Sequence, residues 1–230
     1  LQGAMDAIEI ETFCAQHHIK LLIDAAHPFA TQLHETLEQV SVESNIPVIR
    51  FERIFPERDE EHITWCRDYD DAIEKIQKEK IFILLALTGV QTIGKLKPLW
   101  QNACCYFRIL DRDSSRKLAR KQGFSEKNLY YYTPGEDEQV LMKQLHPEAI
   151  LLKESGISGG FCEKVEAARQ LGVRIFAIRR PETSSKFICV NGEYGLRRIV
   201  EKHLPDFFPL RSGLTTGTCA AAAAVAATWD

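Results

Sequence analysis

The sequence predicts an α/β fold built on parallel sheets, and three observations carry that expectation. Short apolar runs recur along the chain, and segments of helical spacing separate them. Several runs, such as 81–87, are apolar without alternation, as strands covered on both faces are.

Taken in order, residues 8–18 place Ile8, Ile10, Phe13 and Cys14 at roughly helical spacing, and Leu21-Leu22-Ile23 follow as a short strand. Pro28 suits the first turn of the next helix, where its missing N–H would have no intrahelical partner, and residues 31–44 continue it. Residues 47–51 form a second strand, 70–80 a helix, and 81–87 a third strand that feeds Thr88-Gly89. A helix at 92–100, a strand at 105–110 and a polar helix at 114–122 closed by Gly123 come next. The alternation repeats with a helix at 136–145, a strand at 149–152, a helix at 161–171 closed by Gly172, and a strand at 173–178. With no low-complexity linker before Pro205, a boundary between two lobes is expected in a short connection, at 109–116.

Composition narrows the function classes. A net charge of -3 and 27% charged residues argue against a nucleic-acid partner, and 45% hydrophobic content argues against disorder. No apolar run is long enough to span a membrane and no basic-apolar leader opens the chain, so the expected location is the cytoplasm. The seven cysteines contain no C-x-x-C pair, which suits reduced thiols better than zinc or disulfides, and no metal site is expected. Six of the histidines lack metal-ligand spacing, and only His27 has informative neighbours.

In an open parallel sheet, ligands bind beyond the carboxyl ends of the strands. Three such ends stand out. Asp24-Ala25-Ala26-His27-Pro28-Phe29-Ala30 sets a carboxylate, an imidazole and a helix start together; the plainer reading is that Asp24 satisfies backbone donors and His27 precedes a well-started helix. Lys153-Glu154-Ser155-Gly156-Ile157-Ser158-Gly159-Gly160 joins a strand to a helix with glycines that permit positive φ, and free N–H groups there favour a phosphate or carboxylate; a tight turn without a ligand is the alternative. Leu87-Thr88-Gly89 is weak alone.

Together these segments resemble the precorrin-6A reductase family, also known as cobalt-precorrin-6A reductases. The resemblance rests on Asp24 to Ala30, Thr88-Gly89, the Tyr106-Phe107-Arg108-Ile109-Leu110 strand, the run from Lys153 through Ala168, and Arg180-Pro181. It implies two Rossmann-like lobes with parallel sheets: an amino-terminal lobe at 1–110, whose first strand and glycine loop would precede Leu1 and are missing, and a carboxy-terminal lobe at 111–204. Leu87, Val90 and Gln91 depart from the family's Thr-Thr-Gly-Ser-Lys pattern. A separate segment, Arg211-Ser212-Gly213-Leu214-Thr215-Thr216-Gly217-Thr218-Cys219 before five alanines, resembles the start of a cobalt-precorrin-5B methyltransferase and marks 209–230 as a truncated fused domain; a capped alanine-rich helix is the plainer reading.

The resemblance implies reduction of a conjugated macrocycle double bond in a corrin-ring precursor, with NADH or NADPH as cofactor. His27 is then the expected proton donor, with Asp24 orienting or charging it; a binding role, with the proton coming from water, is the alternative. Pro28, Phe29, Thr88, Gly89, Ser155, Gly156, Gly159 and Gly160 are expected to line the ligand. Arg108, Lys153, Lys164, Arg179 and Arg180 are expected to meet the acidic side chains of the substrate. Two other classes share the pattern of elements: a cofactor-free two-lobed tetrapyrrole enzyme and a non-catalytic corrinoid-binding fragment.

Overall fold

The computed structural model describes residues 5–208. In chain order the strands are β1 (Leu22–Asp24), β2 (Val48–Phe51), β3 (Ile63–Cys66), β4 (Ile83–Ala86), β5 (Cys104–Leu110), β6 (Leu129–Tyr132), β7 (Ala149–Lys153), β8 (Arg174–Ile178) and β9 (Ile188–Val190). The helices are α1 (Ala7–Gln16), α2 (Thr31–Ser44), α3 (Tyr69–Lys78), α4 (Lys97–Trp100), α5 (Asp113–Lys121), α6 (Glu138–Leu145), α7 (Phe161–Gln170) and α8 (Gly192–His203).

The strands form two sheets, a three-stranded one ordered β1-β2-β9 and a six-stranded one ordered β3-β8-β7-β4-β5-β6. Every pairing is parallel, as the apolar runs predict. Leu84, Leu85 and Ala86 of β4 and Ala149 to Leu152 of β7 are buried because helices cover both faces of the larger sheet. The smaller sheet is backed by α1 and α2, which pack Ile10 and Cys14 against Leu37, Val40 and Val48. Local signals start the helices as expected from side-chain chemistry: a reciprocal Asp6–Glu9 capping box opens α1, and the Asp68 carboxylate accepts from the Asp71 N–H at the start of α3.

The expected boundary at 110/111 falls inside one sheet, since β5 and β6 pair from Phe107↔Leu129 to Leu110↔Tyr132. The polar stretch that suggests a linker is instead the approach to α5, which carries the chain from β5 to β6. The two lobes are therefore not successive halves. The chain leaves the smaller sheet after β2, builds the whole larger sheet from β3 to β8, and returns to add β9 beside β2.

Four elements go unread in the sequence. β3 (Ile-Thr-Trp-Cys), β6 (Leu-Tyr-Tyr-Tyr) and β9 (Ile-Cys-Val) are edge strands of three or four residues, too short to set up a readable pattern. α8, the fourth, buries only Val200 among its residues, so its apolar stripe is thin. Two expected elements also shift. Pro28 lies in a turn closed by the Ala30 N–H to His27 O bond, ahead of α2 and not in its first turn. The helix expected at 92–100 is broken into a 3-10 turn at Val90–Thr92 and the single turn α4. The segment at 209–230 that resembles a methyltransferase start lies outside the described residues. Among the described residues no helix is long and apolar enough to cross a membrane.

Along the larger sheet, β4, β5 and β6 proceed toward one edge while β7 and β8 proceed toward the other. The direction of winding reverses between β4 and β7, which is where an open parallel sheet leaves a crevice for a ligand. Register fixes what meets there: Ala86 pairs with Leu151, and the Leu87 N–H donates to Leu151 O at 2.9 Å. Thr88-Gly89 and Lys153 consequently emerge side by side.

Candidate active site

Two cavities open at these strand ends. One of about 760 Å³ is lined by Thr88, Gly89, Arg108, Tyr132, Gly159 and Lys164 among others; the second, of about 450 Å³, has an apolar wall of Phe29, Tyr69, Ile178 and Pro181. His27 and Lys153 line both. They stand where the end of β1 in one sheet faces the end of β7 in the other.

At the end of β1 the sequence expectation of an Asp24–His27 pair is not met. Asp24 points inward, 2% exposed, and its carboxylate accepts from the Ala26 N–H at 2.9 Å, lies 2.7 Å from His34 Nδ1 and 3.0 Å from the Arg50 guanidinium. His34, a full turn into α2, also reaches back with Nε2 to His27 O at 3.1 Å. Asp24 thus holds the loop carrying His27 by way of His34, and does not touch the His27 ring. The alternation of a strand explains this: Asp24 falls on the buried side, while the chain turns His27 out to the cleft.

The His27 ring accepts the Phe29 N–H at Nδ1, 3.2 Å, which leaves Nε2 as the protonated nitrogen. Burial, with the nearby charges of Lys153, Arg53 and Arg50, lowers its pKa to about 4. At neutral pH His27 is a neutral imidazole that donates a hydrogen bond from Nε2, and it is not the charged acid expected from residue type.

At the end of β4, Thr88 is buried and shares a 2.6 Å hydroxyl–hydroxyl hydrogen bond with Thr92, whose hydroxyl donates to Gly89 O at 2.8 Å. Gly89, at φ 87° and ψ 166°, has nothing within 4 Å of the position a Cβ would take. Its backbone faces open cleft, and a flat ring can approach it closely. The wall leaves room for a flat ring such as the nicotinamide that the resemblance implies.

The glycine loop after β7 is built differently. A Cβ on Gly156 would lie 2.9 Å from Ile54 O and 3.2 Å from the Phe55 ring, and one on Gly159 would overlap the Ser155 side chain. The Ile157 N–H donates to Ile54 O at 3.0 Å, and Arg53 donates to Ser155 O at 2.9 Å. Gly156 therefore makes room for the segment that crosses between the sheets, and Gly159 makes room for the Ser155 side chain, whose hydroxyl donates to Gly159 O at 3.3 Å. Gly160 caps α7 at φ 67°, with the Lys164 ammonium bonded to its carbonyl at 2.7 Å.

The five expected cations part company here. Arg108 lies 2.7 Å from the Glu138 carboxylate and over the Tyr132 ring; Lys164 lies 3.6 Å from the same carboxylate. Arg180 is bound to Glu154 at 2.5 Å and stacks 3.8 Å from the Phe55 ring centre, and Arg179 lies 3.5 Å from Glu60. Lys153 alone of the five makes no hydrogen bond or ion pair among the described residues; its ammonium sits 5.3 Å from the Phe29 ring centre. Burial, and then the Lys95 ammonium, lower its pKa.

Sequence reasoning missed Arg50, Glu154, His34 and Lys95. Arg50 and Glu154 had a readable signal, a charge set in or directly after a buried strand, which demands a buried partner. Glu154, 1% exposed, receives both Arg58 at 3.0 Å and Arg180, and so ties both crossing segments to the end of β7. Among the described residues no group of three or more His, Cys, Asp or Glu is placed to hold a metal ion.

Comparison with known proteins agrees with this fold. Residues 1–193 match the family described as Precorrin-6x reductase CbiJ/CobK. The chain is 30% identical over 187 residues to the cobalt-precorrin-6A reductase of Priestia megaterium, covering 78% of this chain and 72% of that one. It is 31% identical over 175 residues to the protein of the same name from Methanococcus maripaludis, covering 71% of this chain and 65% of that one. A solved structure described as CobK precorrin-6A reductase superposes with a TM-score of 0.71 over 87% of this chain and 80% of that chain, at 16% identity, so the two share the fold. With its parallel sheets, its crevice at the winding reversal and a family match over most of its length, the chain belongs to the precorrin-6x reductase CbiJ/CobK family.

Proposed function

We propose that this chain reduces a carbon–carbon double bond of a corrin-ring precursor, precorrin-6A or its cobalt form, in cobalamin biosynthesis. The observation that carries the reading is the crevice between β4 and β7, where the open backbone of Gly89, the neutral His27 and the unpaired Lys153 face one space. NADH or NADPH, if bound there, would supply the hydride.

The protein's own part is to bind, orient and shelter. The apolar wall of Phe29, Tyr69 and Ile178 offers a face to a flat macrocycle. His27 Nε2–H donates to a ligand acceptor, and Asp24 keeps that ring in place through His34. Thr88 holds the Gly89 turn, and Arg108 and Lys164 present donors beside Glu138. Arg179 lines the smaller cavity, where it meets acidic side chains of the substrate. We read residues 209–230 as the start of a fused methyltransferase domain, which favours the cobalt-containing substrate.

The test is spectrophotometric: purified protein is mixed with NADH or NADPH and cobalt-precorrin-6A. Loss of the dihydronicotinamide absorbance that depends on the acceptor is the expected result. Corrinoid binding without nicotinamide oxidation would instead identify a binding fragment, and turnover without nicotinamide a cofactor-free enzyme.

A further inference from the structure

We infer that Lys153, and not His27, is the acid that delivers the proton completing the reduction. The inference rests on the proposed function, and it starts from placement. Lys153 ends β7 at the reversal of winding, one strand over from the open Gly89 turn, and its side chain lines both cavities. A group that delivers a proton to one reactant while a second reactant lies alongside must reach the junction of the two spaces. Among the described residues only His27 and Lys153 line both cavities.

The pairing of charges separates the two. An acid needs a proton it can release and no standing partner that holds it. The other expected cations are engaged with Glu138, Glu60 or Glu154, and guanidinium groups do not release protons near neutral pH. Lys153 faces an aromatic ring and open cleft, with no carboxylate to fix its ammonium. His27, with its Nδ1 occupied by the Phe29 N–H and its pKa near 4, carries no extra proton at neutral pH to give away.

The charged surroundings of Lys153 act in the same direction. On the side of the smaller cavity it shares its space with His27, Lys95, Arg67, Asp68, Tyr69 and Arg179, in which cations outnumber the single carboxylate. That carboxylate already accepts the Asp71 N–H. On the other side Arg108, Glu138 and Lys164 are engaged with one another, and Glu136 and Glu163 are exposed. Burial and Lys95 lower the Lys153 pKa below the ordinary 10.5, which makes its ammonium a stronger acid than a surface lysine.

The step balances. A hydride from dihydronicotinamide, which is oxidised, forms one C–H bond of the substrate and brings the electron pair. The Nζ–H bond of Lys153 breaks as the second C–H bond forms on the neighbouring carbon, and the neutral amine left behind regains its proton from water.

Three proteins decide it: wild type, K153R, which keeps a cation that cannot donate, and K153M, which keeps the aliphatic stem. Turnover with cobalt-precorrin-6A should fall about 100-fold or more in both variants, the usual range for loss of a general acid. Binding of uroporphyrin, read by fluorescence quenching, should change by less than about threefold in K153R if folding and the cleft are intact. In wild type labelled with ¹³Cε-lysine, the signal absent from K153R should titrate below those of the exposed lysines. Turnover of K153R close to wild type, or a Lys153 signal that titrates with those of the exposed lysines, overturns the assignment. Wild type inert toward every nicotinamide and tetrapyrrole pair would remove the proposed function itself, and the acid with it, before any variant is compared.

Discussion

The ends of β4 and β7 lie side by side and both turn on glycine, yet the glycines do opposite things. At Gly89 the space beside the α-carbon is empty; at Gly156 it is filled by the backbone of Ile54 and the ring of Phe55. The longer, glycine-richer loop reads in the sequence as the ligand site, and the short Thr88-Gly89 turn as the weak one. The structure shows that glycine in a strand-end loop marks a close approach without saying what approaches. At Gly156 it is the protein's own crossing segment, at Gly89 it is the cleft, and Gly159 and Gly160 of the longer loop line that cleft as well.

The strongest way to break this contrast is Gly156→Ala. At φ 77° and ψ 176°, with backbone oxygen in the way, the change should cost about 3–4 kcal/mol of stability, the sum of backbone strain and overpacking. Urea denaturation measures it, and a loss below 1 kcal/mol would mean that the 53–55 segment is not seated on the loop.

Glu154→Ala tests the same packing from its charged side. Two arginines lose their buried carboxylate, but each is about a third exposed and can turn to solvent, so about 2–3 kcal/mol is expected instead of the full cost of a stranded buried charge. If the clamp joins the crossing segments, limited proteolysis should then cut first within 53–62 or 179–187.

His27 stands on the open side of the contrast and gives a pH signature. The unfolded chain takes up a proton on this residue near pH 6.5, the folded chain only near 4, so stability rises with pH across that window and falls as acid is added. Because the ring is partly open to the cleft, the contribution is at most about 2 kcal/mol. His27→Gln should flatten this part of the stability–pH curve; an unchanged slope would show that the ring is not held neutral.

Gly89→Ala should have the smallest effect on stability and the clearest on ligands. Its added methyl meets no atom, leaving a backbone penalty of about 1–2 kcal/mol. Affinity for NADH or NADPH, the proposed cofactors, should fall when measured by calorimetry. An unaltered affinity would place the ring away from this wall.

Much of the fold was legible because buried parallel strands write unbroken apolar runs, and residues 81–87 and 149–152 are the clearest of these. The partition into lobes was not legible, because strand order is a long-range property: nothing in Ile188-Cys189-Val190 says that it pairs with β2 and not with β8. The site was legible as a set of strand ends, and His27, Gly89 and Lys153 do meet there. Partners were not legible. Whether Asp24 serves His27 or His34, and which of five cations stays free, depends on side-chain direction across elements distant in sequence.

The placement of β9 has a consequence for how the molecule is made. Residues 63–178 form the six-stranded sheet without interruption, whereas Ile49 waits for Ile188 before the smaller sheet has its third strand. On a ribosome the smaller sheet, begun before the larger one, is therefore completed after it, and β2 carries an unpaired edge until β9 has emerged.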